Sequence, residues 1–448
     1  MRKRIYILII VQYLLSGSAF AEGLTLDSCL QMARRNNPEM RKAELGIRRA
    51  EEVKAQAFTN YFPKVQGTAF GFHALHPMIE VGINDIDNAS VRDLLTTLYG
   101  NYGAALGLDN TLSLFGYGYF AGVTALQPVF AGGKIVAGNK LAKVGVEAAK
   151  LQAEIAQREQ LEQVEQSYWL VYGLEQKDAI ITDAQALLDT LYEAVHSAVE
   201  AGLALPSDLT KVEMQRDEIQ RRHLQLQNGK RLARRALALS IGMEGDGWQL
   251  AQQNVETDTL LLPDTTVTTK EQQLLSLQVR AAELEKRMVL ADALPQLAVG
   301  ANYSYGRLQT NLLRDGLGNK NGNGALFVTL NVPLTGWWET SHKLREKQYA
   351  IEQAKIDADY LGAQLDLRTK QAYDKMMEAA AMMLLQERTQ VHAEEAYEQA
   401  SVNYEAGMAT IAELLQAQTA LTQAKANLTD AQIAYRVQTK RYRDLIAH

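Results

Sequence analysis

Histidine and carboxylate side chains, the residue types that bind divalent metals, are concentrated in one stretch of the chain. His73 and His76 lie close to Asp85 and Asp87 in the segment HALHPMIEVGINDIDN. Their spacing matches no recognised set of zinc ligands, and a polar surface loop is the simpler interpretation. The sequence also contains no phosphate-binding glycine loop and no nucleophile elbow. We therefore predict that the protein is not an enzyme and that it uses no cofactor and no metal.

The charge and the cysteine content narrow the choice of partner and fold. The formal net charge is −6, which argues against a nucleic-acid partner, because such proteins carry a basic face. Cys29 is the only cysteine, so the chain cannot form an internal disulfide. We expect Cys29 to be a small buried residue on the first helix of the mature chain.

The N-terminus predicts a signal peptide over residues 1–21. A basic cluster at 2–4 precedes an apolar run over 5–15, and the motif AFA at 19–21 is typical of a cleavage site. The alternative, a membrane anchor, fits less well because the apolar run is short. No later segment has the ~18 consecutive apolar residues of a transmembrane helix. If the exported protein enters a membrane, we expect it to do so as a β-barrel.

Proline disrupts helix interiors, so the proline-free stretches of the chain mark its long helices. These stretches are rich in Ala, Leu, Gln, Glu, Lys and Arg, which favour helix. They predict helices over 134–200, 207–241, 338–404 and 408–446. Helices of this length need partner helices, and the last one carries an apolar seam at heptad spacing, which predicts a coiled coil. The seam consists of Leu414, Leu421, Leu428, Tyr435 and Tyr442.

The two halves of the chain repeat each other. The segments around Pro63 and Pro128 correspond to those around Pro295 and Pro333, which predicts a tandem duplication. The first half carries about 27 extra residues between Pro63 and Pro128. The predicted parts are a first repeat over 22–241, an equatorial linker over 242–269 and a second repeat over 270–448.

Four segments alternate apolar residues with small or polar ones, as a β-strand with two different faces does. They lie at about 63–73, 115–130, 295–306 and 325–334. Such alternation is typical of transmembrane strands, and a soluble β-sandwich shares it. Export and the long helical hairpins favour the membrane. Four strands cannot close a barrel, whereas three chains would supply twelve.

The extra residues of the first half fall between its two strands. We expect residues 74–114 to form an excursion on the extracellular side, where long loops are tolerated. The stretch SVRDLLTTLYG predicts a short helix within it. The alternative is a plug that folds into the lumen.

Each long helix pair is joined at the tripeptide Glu-Ala-Gly. Gly202 is followed by Asp208, and Gly407 is followed at the same spacing by Glu413. A glycine at the end of a helix supplies the positive φ that a tight helix terminus requires. Both glycines are therefore predicted to form the turns of helical hairpins.

Taken together, the duplication, the paired glycine turns, LTLDSCLQMARRNNPEM near the start and the motif QPVFAGG resemble the TolC family of outer-membrane efflux and secretion channels. The resemblance covers essentially the whole mature chain. It implies a mainly helical fold with a transmembrane β part: four strands and long coiled-coil helices per chain, in a homotrimer with a twelve-strand β-barrel on an α-helical periplasmic tunnel. The second half departs from the pattern, since Thr269-Lys270 stands where Asn37-Pro38 would recur.

The resemblance also implies a location, partners and a function. The protein would lie in outer-membrane lipid of a Gram-negative-type bacterium and extend into the periplasm. It would be the passive exit duct of a tripartite efflux pump or a type I secretion system, docked to a periplasmic adaptor and an inner-membrane pump. The runner-up interpretation is a periplasmic coiled-coil adaptor or scaffold without a barrel. Heat-modifiable migration and fractionation with outer membranes would distinguish the two.

Site residues follow from the resemblance at matching positions of the hairpin tips. Tyr404 matches the family's gating tyrosine, and Ser207 and Asp208 match its partners on the other hairpin. Glu413 keeps one of two acidic positions that narrow the mouth, although an ordinary solvated helix face is the alternative. The gating and constriction set is Tyr404, Asp208, Ser207, Glu413 and Gln416, where Gln416 replaces the second acid. Ala409 stands where the best-known member has arginine. The set expected to dock the adaptor is Gly202, Leu203, Gly407 and Met408.

Overall fold

The structure is a computed structural model that describes residues 23–76, 78–106, 111–245, 248–251, 269–310 and 317–446. The predicted signal peptide and most of the predicted linker over 242–269 lie outside the described residues. The elements in chain order are α1 (Leu26–Asn36), α2 (Pro38–Phe58), β1 (Lys64–His73), β2 (Ile79–Gly82), α3 (Ala89–Leu106), β3 (Thr111–Ala131), α4 (Lys134–Glu200), α5 (Pro206–Ile241), α6 (Lys270–Asp292), β4 (Gln296–Thr310), β5 (Leu317–Asn331), α7 (Trp337–Glu405) and α8 (Ile411–Ile446).

The long helices form two hairpins of matching dimensions. α4 has 67 residues and α7 has 69, while α5 and α8 have 36 residues each. Their bounds lie within a few residues of those expected from the proline-free stretches. Of the helices that the structure describes, none combines the length and the apolarity that a helix needs to cross a membrane.

The strands form one antiparallel sheet in the order β1-β3-β4-β5. A fifth strand, β2, pairs with the first residues of β3. Leu114 of β3 pairs with Ile79 of β2 on one side and with Thr310 of β4 on the other. β2 therefore lies on the same side of β3 as β1, which pairs with later residues of β3. The expectation of four strands was therefore wrong in number, although the sheet keeps four rows.

Three strands differ in extent from the sequence expectation, and one of them, β4, ends at Thr310 rather than near 306. β3 begins at Thr111 rather than near 115, and β5 runs from Leu317 to Asn331 rather than over 325–334. The glycine- and asparagine-rich start of β5 has the composition of a loop, yet it pairs with β4 because the neighbouring strand supplies its hydrogen bonds. Pro333 lies beyond the end of the strand, as expected of a residue without a backbone N–H.

The sheet has one apolar face and one polar face. Residues paired directly across two strands lie on the same face, so the register assigns each side chain. The apolar face includes Val65, Ala69, Tyr119, Val123, Val299, Tyr303, Tyr305, Leu326, Val328 and Leu330. The polar face includes Gln66, Thr68, Thr124, Asn302, Ser304, Asn323 and Thr329, with several glycines between them. The alternation expected from the sequence is confirmed.

The insertion between β1 and β3 contains the expected helix. α3 covers Ala89–Leu106, which is longer than the stretch singled out in the sequence. Asn88 begins it, since its Oδ1 accepts the backbone N–H of Val91 at 3.2 Å. The placement of this insertion on the extracellular side stays a prediction.

The chain divides into two compact units, and the strands belong to the second, which contains Ala50–Val146 and Val279–Ala354. The first unit holds most of the helical residues, including Glu147–Gln278. One of its cores is built around Trp169 and Tyr168 of α4, which are fully buried together with Cys29 of α1. The expected burial of Cys29 is confirmed, and burial raises the pKa of its thiol to about 11.

The link between α1 and α2 is tied to the end of α5. Asn37 Oδ1 accepts the backbone N–H of Glu39 at 2.8 Å and so caps α2, which then begins with Pro38. The Asn37 amide also donates to the carbonyl oxygen of Ser240 at 2.9 Å. Asn37 is buried, so one side chain satisfies two helix ends that would otherwise lack partners.

Candidate functional site

The two hairpin turns have the same backbone geometry. Gly202 has φ of 72° and Gly407 has φ of 71°, both in the left-handed region that glycine adopts without strain. Each glycine N–H donates to the carbonyl three residues earlier, Val199 in one hairpin and Tyr404 in the other, at 3.0 Å. The next N–H in each turn closes a longer loop at 2.8 Å, which completes a Schellman motif. The turns predicted from the glycines are confirmed.

The two return helices begin differently. α5 begins with Pro206 and has no side-chain cap, and Asp208 supplies a negative charge in its first turn. α8 begins with a capping box, in which Glu413 Oε2 accepts the N–H of Thr410 at 2.8 Å and Thr410 Oγ1 accepts the N–H of Glu413 at 3.3 Å. The carboxylate proposed for the constriction therefore also stabilises the helix start.

Above the turns, the two hairpins share one apolar cluster. Val212 and Ile219 of α5 are buried together with Ile411, Leu414 and Leu415 of α8. Leu188 and Val195 of α4 complete the buried part, and Tyr397 and Tyr404 of α7 pack against it. Four helices thus meet near their tips, and we call this set the tip cluster.

Tyr404 and Asp208 lie close together but share no hydrogen bond. Burial, and after it the negative charge of Asp208, raises the pKa of the Tyr404 phenol. Within the described residues, the Asp208 carboxylate instead accepts Lys211 Nζ at 2.9 Å, and the Tyr404 hydroxyl has no hydrogen-bonding partner. The Asp208 charge therefore acts on Tyr404 across the two hairpins without a hydrogen bond, and Lys211 holds the carboxylate instead.

The remaining predicted residues are surface positions of the tips. Ser207 is exposed on the first turn of α5, and Gln416 is exposed on the second turn of α8. Leu203 and Met408, which follow the turn glycines, are 84% and 74% exposed. Large apolar side chains this exposed at corresponding points of both turns provide a surface that a partner can cover.

Sequence reasoning missed one polar link between the hairpins. Gln215 Nε2 of α5 donates to Thr419 Oγ1 of α8 at 2.8 Å, and the Thr419 hydroxyl donates in turn to the carbonyl of Leu415 at 2.8 Å. Both side chains are half-buried next to the tip cluster. The available signal was the polar Gln215. Val212 and Ile219 are one heptad apart, and the position three residues after Val212 would then be apolar in a coiled-coil seam.

The first hairpin is held together by more charged contacts than the second. Asp178 of α4 accepts Lys230 Nζ at 2.6 Å and Gln227 Nε2 at 2.7 Å, both from α5. Arg216 bonds to Asp189 and lies over the ring of Tyr192 at 4.4 Å. Between α7 and α8, in the part of the chain that the structure describes, one ion pair occurs, from Lys425 to Glu394 at 3.8 Å.

Further from the tips, α4 and α8 are joined by charged groups. Lys177 lies 2.7 Å from Asp430, and the guanidinium of Arg436 lies 4.7 Å from the centre of the Trp169 ring. Gly173 allows the close approach, because a Cβ there would lie 2.7 Å from Ile433 Cδ1. These contacts fix the two hairpins to each other independently of the tips.

In the segment that contains His73, one ring contact is seen in the structure. The ring of His73 stacks on that of Tyr117, with ring centres 6.4 Å apart. The described residues contain no group of three or more His, Cys, Asp or Glu side chains placed to hold a metal ion.

The chain was compared with known families and structures. A family model described as "Outer membrane efflux protein" matches residues 29–243 and 272–446. No curated protein sequence matches the chain. Among solved structures, CusC shares 14% identity at a TM-score of 0.76, with 96% of this chain and 93% of that chain covered. The CmeC outer membrane channel of Campylobacter jejuni shares 13% identity at a TM-score of 0.75 (94% and 85% covered). The outer membrane protein VceC of Vibrio cholerae shares 16% identity at a TM-score of 0.70 (94% and 95% covered).

Proposed function

Since the chain belongs to the outer membrane efflux protein family, we propose that three copies close one twelve-strand barrel and conduct solutes passively across the outer membrane. The observation that carries this proposal is the sheet itself. β1 and β5 are its edge strands, and an open edge is not tolerated in hydrocarbon, where unpaired backbone groups find no water. The four rows alternate in direction, so β5 of one copy can pair antiparallel with β1 of the next.

The two faces of the sheet suit lipid on one side and water on the other. Leu326, Val328 and Leu330 on the apolar face are 86%, 67% and 64% exposed in the single chain. Tyr117, Tyr119, Tyr303 and Tyr305 crowd one end of that face, as the aromatic belt of a membrane barrel does. Trp337 and Trp338 stand exposed just after β5 and would serve the opposite interface. A soluble scaffold would expose this apolar face to water, which disfavours the adaptor interpretation.

The experiment is a conductance measurement on the full chain purified from outer membranes and reconstituted in a planar bilayer. We expect discrete channel steps and heat-modifiable migration in gels. A protein that fractionates with the periplasm and gives no channel would overturn the proposal.

We further propose that the tip cluster is the gate, and that Tyr404 and Asp208 contribute to its closure. A hydrogen bond from the Tyr404 hydroxyl to the charged Asp208 carboxylate would contribute roughly 1.5–3 kcal/mol when shielded from water, and less when wet. Lys211 competes for that carboxylate, and Ala409 provides no arginine link, so the apolar contacts carry most of the closure. Tyr404→Phe combined with Asp208→Ala should raise single-channel conductance. An unchanged conductance would show that Tyr404 and Asp208 do not contribute to the closure.

We propose that Glu413, present in three copies in the trimer, makes the narrow periplasmic mouth of the channel cation-selective. Gln416, at the second position that narrows the mouth, is neutral and adds no charge. The capping box makes the test clean, because glutamine also accepts the Thr410 N–H. Glu413→Gln should therefore keep assembly and lose cation selectivity, measured as reversal potential in a salt gradient. Glu413→Ala is the control that also removes the cap, at about 1 kcal/mol. Unchanged selectivity in Glu413→Gln would leave the residue a cap only.

The exposed turn residues are proposed to dock a periplasmic adaptor, which connects the channel to an inner-membrane pump. The docking surface comprises Gly202, Leu203, Gly407 and Met408. Leu203→Asp and Met408→Asp should abolish cross-linking to the adaptor in cells and leave bilayer conductance unchanged. Cross-linking that survives both changes would contradict the assignment. The same machinery serves an efflux pump or a type I secretion system, and the pump that co-purifies identifies which.

A further inference from the structure

Four phenylalanines lie on the polar face of the sheet, among small and hydrogen-bonding residues. Phe70 and Phe120 are directly opposite each other on β1 and β3, Phe72 is opposite Gly118, and Phe327 of β5 is opposite Gly300. Large aromatic rings are unexpected here, because the remaining side chains of this face are mostly Thr, Asn, Ser, Gln and Gly. We call Phe70, Phe72, Phe120 and Phe327 the phenylalanine patch.

Three of the rings lie against glycines. A Cβ on Gly118 would come within 2.8 Å of Phe72 Cε1, and a Cβ on Gly122 or Gly306 would come within 3.3 Å of the Phe120 ring. The Phe327 ring likewise occupies the space above Gly300. The rings therefore occupy space that the glycines leave free because they have no side chain.

Phe70 lies against no glycine, so filling the space above glycines does not explain why all four phenylalanines lie on this face. It pairs with Phe120 rather than with a glycine, and it is 61% exposed. Its ring stacks with that of Phe72, with centres 5.9 Å apart and planes at 27°. The result is a pair of nearly parallel rings, of which Phe70 is exposed and Phe72 half-buried, and an exposed aromatic ring is a surface on which planar molecules stack.

The surroundings of the patch determine which solutes it suits. Among the described residues that the register places on the polar face, Lys64 at the strand end carries the only charge, and the groups around the rings are neutral. Asn302 Nδ2 donates a hydrogen bond to Thr124 Oγ1 at 2.9 Å, so these two neutral side chains bind each other. An uncharged platform of exposed π-faces attracts a solute through stacking rather than through ion pairing.

We propose that the phenylalanine patch is a transit site for planar aromatic solutes, in three copies on the wall of the lumen. This rests on the proposed barrel, in which the polar face lines the aqueous interior. The patch would make the channel favour planar aromatic solutes over non-planar ones of the same charge, so it determines specificity within the passive duct.

The test uses the full chain in planar bilayers, with ethidium added on the extracellular side as the planar probe. Tetraethylammonium is the matched probe, because it has the same charge and no aromatic plane. Phe70→Leu removes a stacking face but keeps an apolar side chain and uncovers no glycine. Phe130→Leu is the matched control, since Phe130 lies on the apolar face of the same strand as Phe120 and is 51% exposed.

We expect ethidium to reduce the current of the unmodified channel, and Phe70→Leu to weaken this block about tenfold, equivalent to about 1.4 kcal/mol. Phe130→Leu should leave the block unchanged, and tetraethylammonium should show no dependence on Phe70. Equal ethidium block in Phe70→Leu and the unmodified channel would overturn the transit site and leave the channel proposal intact. Equal dependence of both probes on Phe70 would also overturn it, because charge rather than planarity would then be recognised. The absence of any channel current would refute the proposed function instead.

Discussion

Thr419→Val is the most informative change near the hairpin tips, because it removes one atom that links the two hairpins. The Thr419 hydroxyl accepts Gln215 Nε2 at 2.8 Å, and valine has nearly the same shape without the oxygen. If the hairpins separate when the channel opens, this hydrogen bond is lost on opening. The variant should therefore open more readily.

The size of the effect follows from the geometry. A neutral hydrogen bond contributes about 0.5–1.5 kcal/mol, and the half-buried position allows water to satisfy part of it after the change. If the three copies open together, the free-energy difference between the closed and the open channel changes by three times this amount, about 1.5–4.5 kcal/mol. Since 1.4 kcal/mol is a factor of ten, the ratio of open to closed channels should rise by about ten- to a thousandfold.

The assay is open probability from single-channel recordings in planar bilayers. Thr429→Val is the matched control, because the Thr429 hydroxyl donates to the Lys425 carbonyl at 3.1 Å as Thr419 does to its own helix, with no bond across the hairpins. Gln215→Met should reproduce the effect of Thr419→Val, and the double variant should add little to either. Equal open probabilities in Thr419→Val and Thr429→Val would refute the role of this link.

Three further predictions concern the helical unit. Burial raises the pKa of the Glu165 carboxyl above its usual 4.5, so the folded protein holds this proton more tightly than the unfolded chain. This proton binding stabilises the fold below about pH 4.5, and the stabilisation is lost as the pH rises through the raised pKa. Glu165→Gln should therefore unfold at a higher temperature than the unmodified protein at pH 8, and at the same temperature at pH 4. Thermal unfolding followed by circular dichroism measures both. Asn37→Ala should cost about 2–4 kcal/mol in thermal or denaturant unfolding, because a cap is lost and the Ser240 carbonyl stays buried without its donor, whereas Asn37→Ser should retain the cap and cost less. Cys29 should resist iodoacetamide at pH 8 until the protein unfolds, and labelling at the rate of a free thiol would contradict its burial.

Features set by local chemistry were predictable from the sequence. Gly202 and Gly407 fix the turns because few other residues adopt a positive φ there, and the helix bounds follow from where proline is absent. The capping box at Thr410 and Glu413 could also have been recognised, since Thr-x-x-Glu before an apolar run is its signature. The same holds for the ion pair of Asp208 with Lys211, one helical turn apart.

Features set by tertiary register were not predictable. The bond between Gln215 and Thr419 depends on how two helices that are distant in sequence align along their axes, which heptad spacing alone leaves undetermined. The extended start of β5 is a strand because β4 offers backbone partners, whereas its composition indicates a turn. β2 has only four residues and is a strand because it pairs with β3. The contacts of the phenylalanine patch with glycines follow from cross-strand pairing, which requires the register of β1, β3, β4 and β5.

The central claim is that the edges of this sheet are closed by further copies of the same chain. Native mass spectrometry of the mature protein, extracted from outer membranes in detergent, tests it most directly. We expect a single stable species with the mass of three chains, because three sets of four strand rows give twelve strands and leave no open edge. A stable monomer or dimer as the predominant species would contradict the claim.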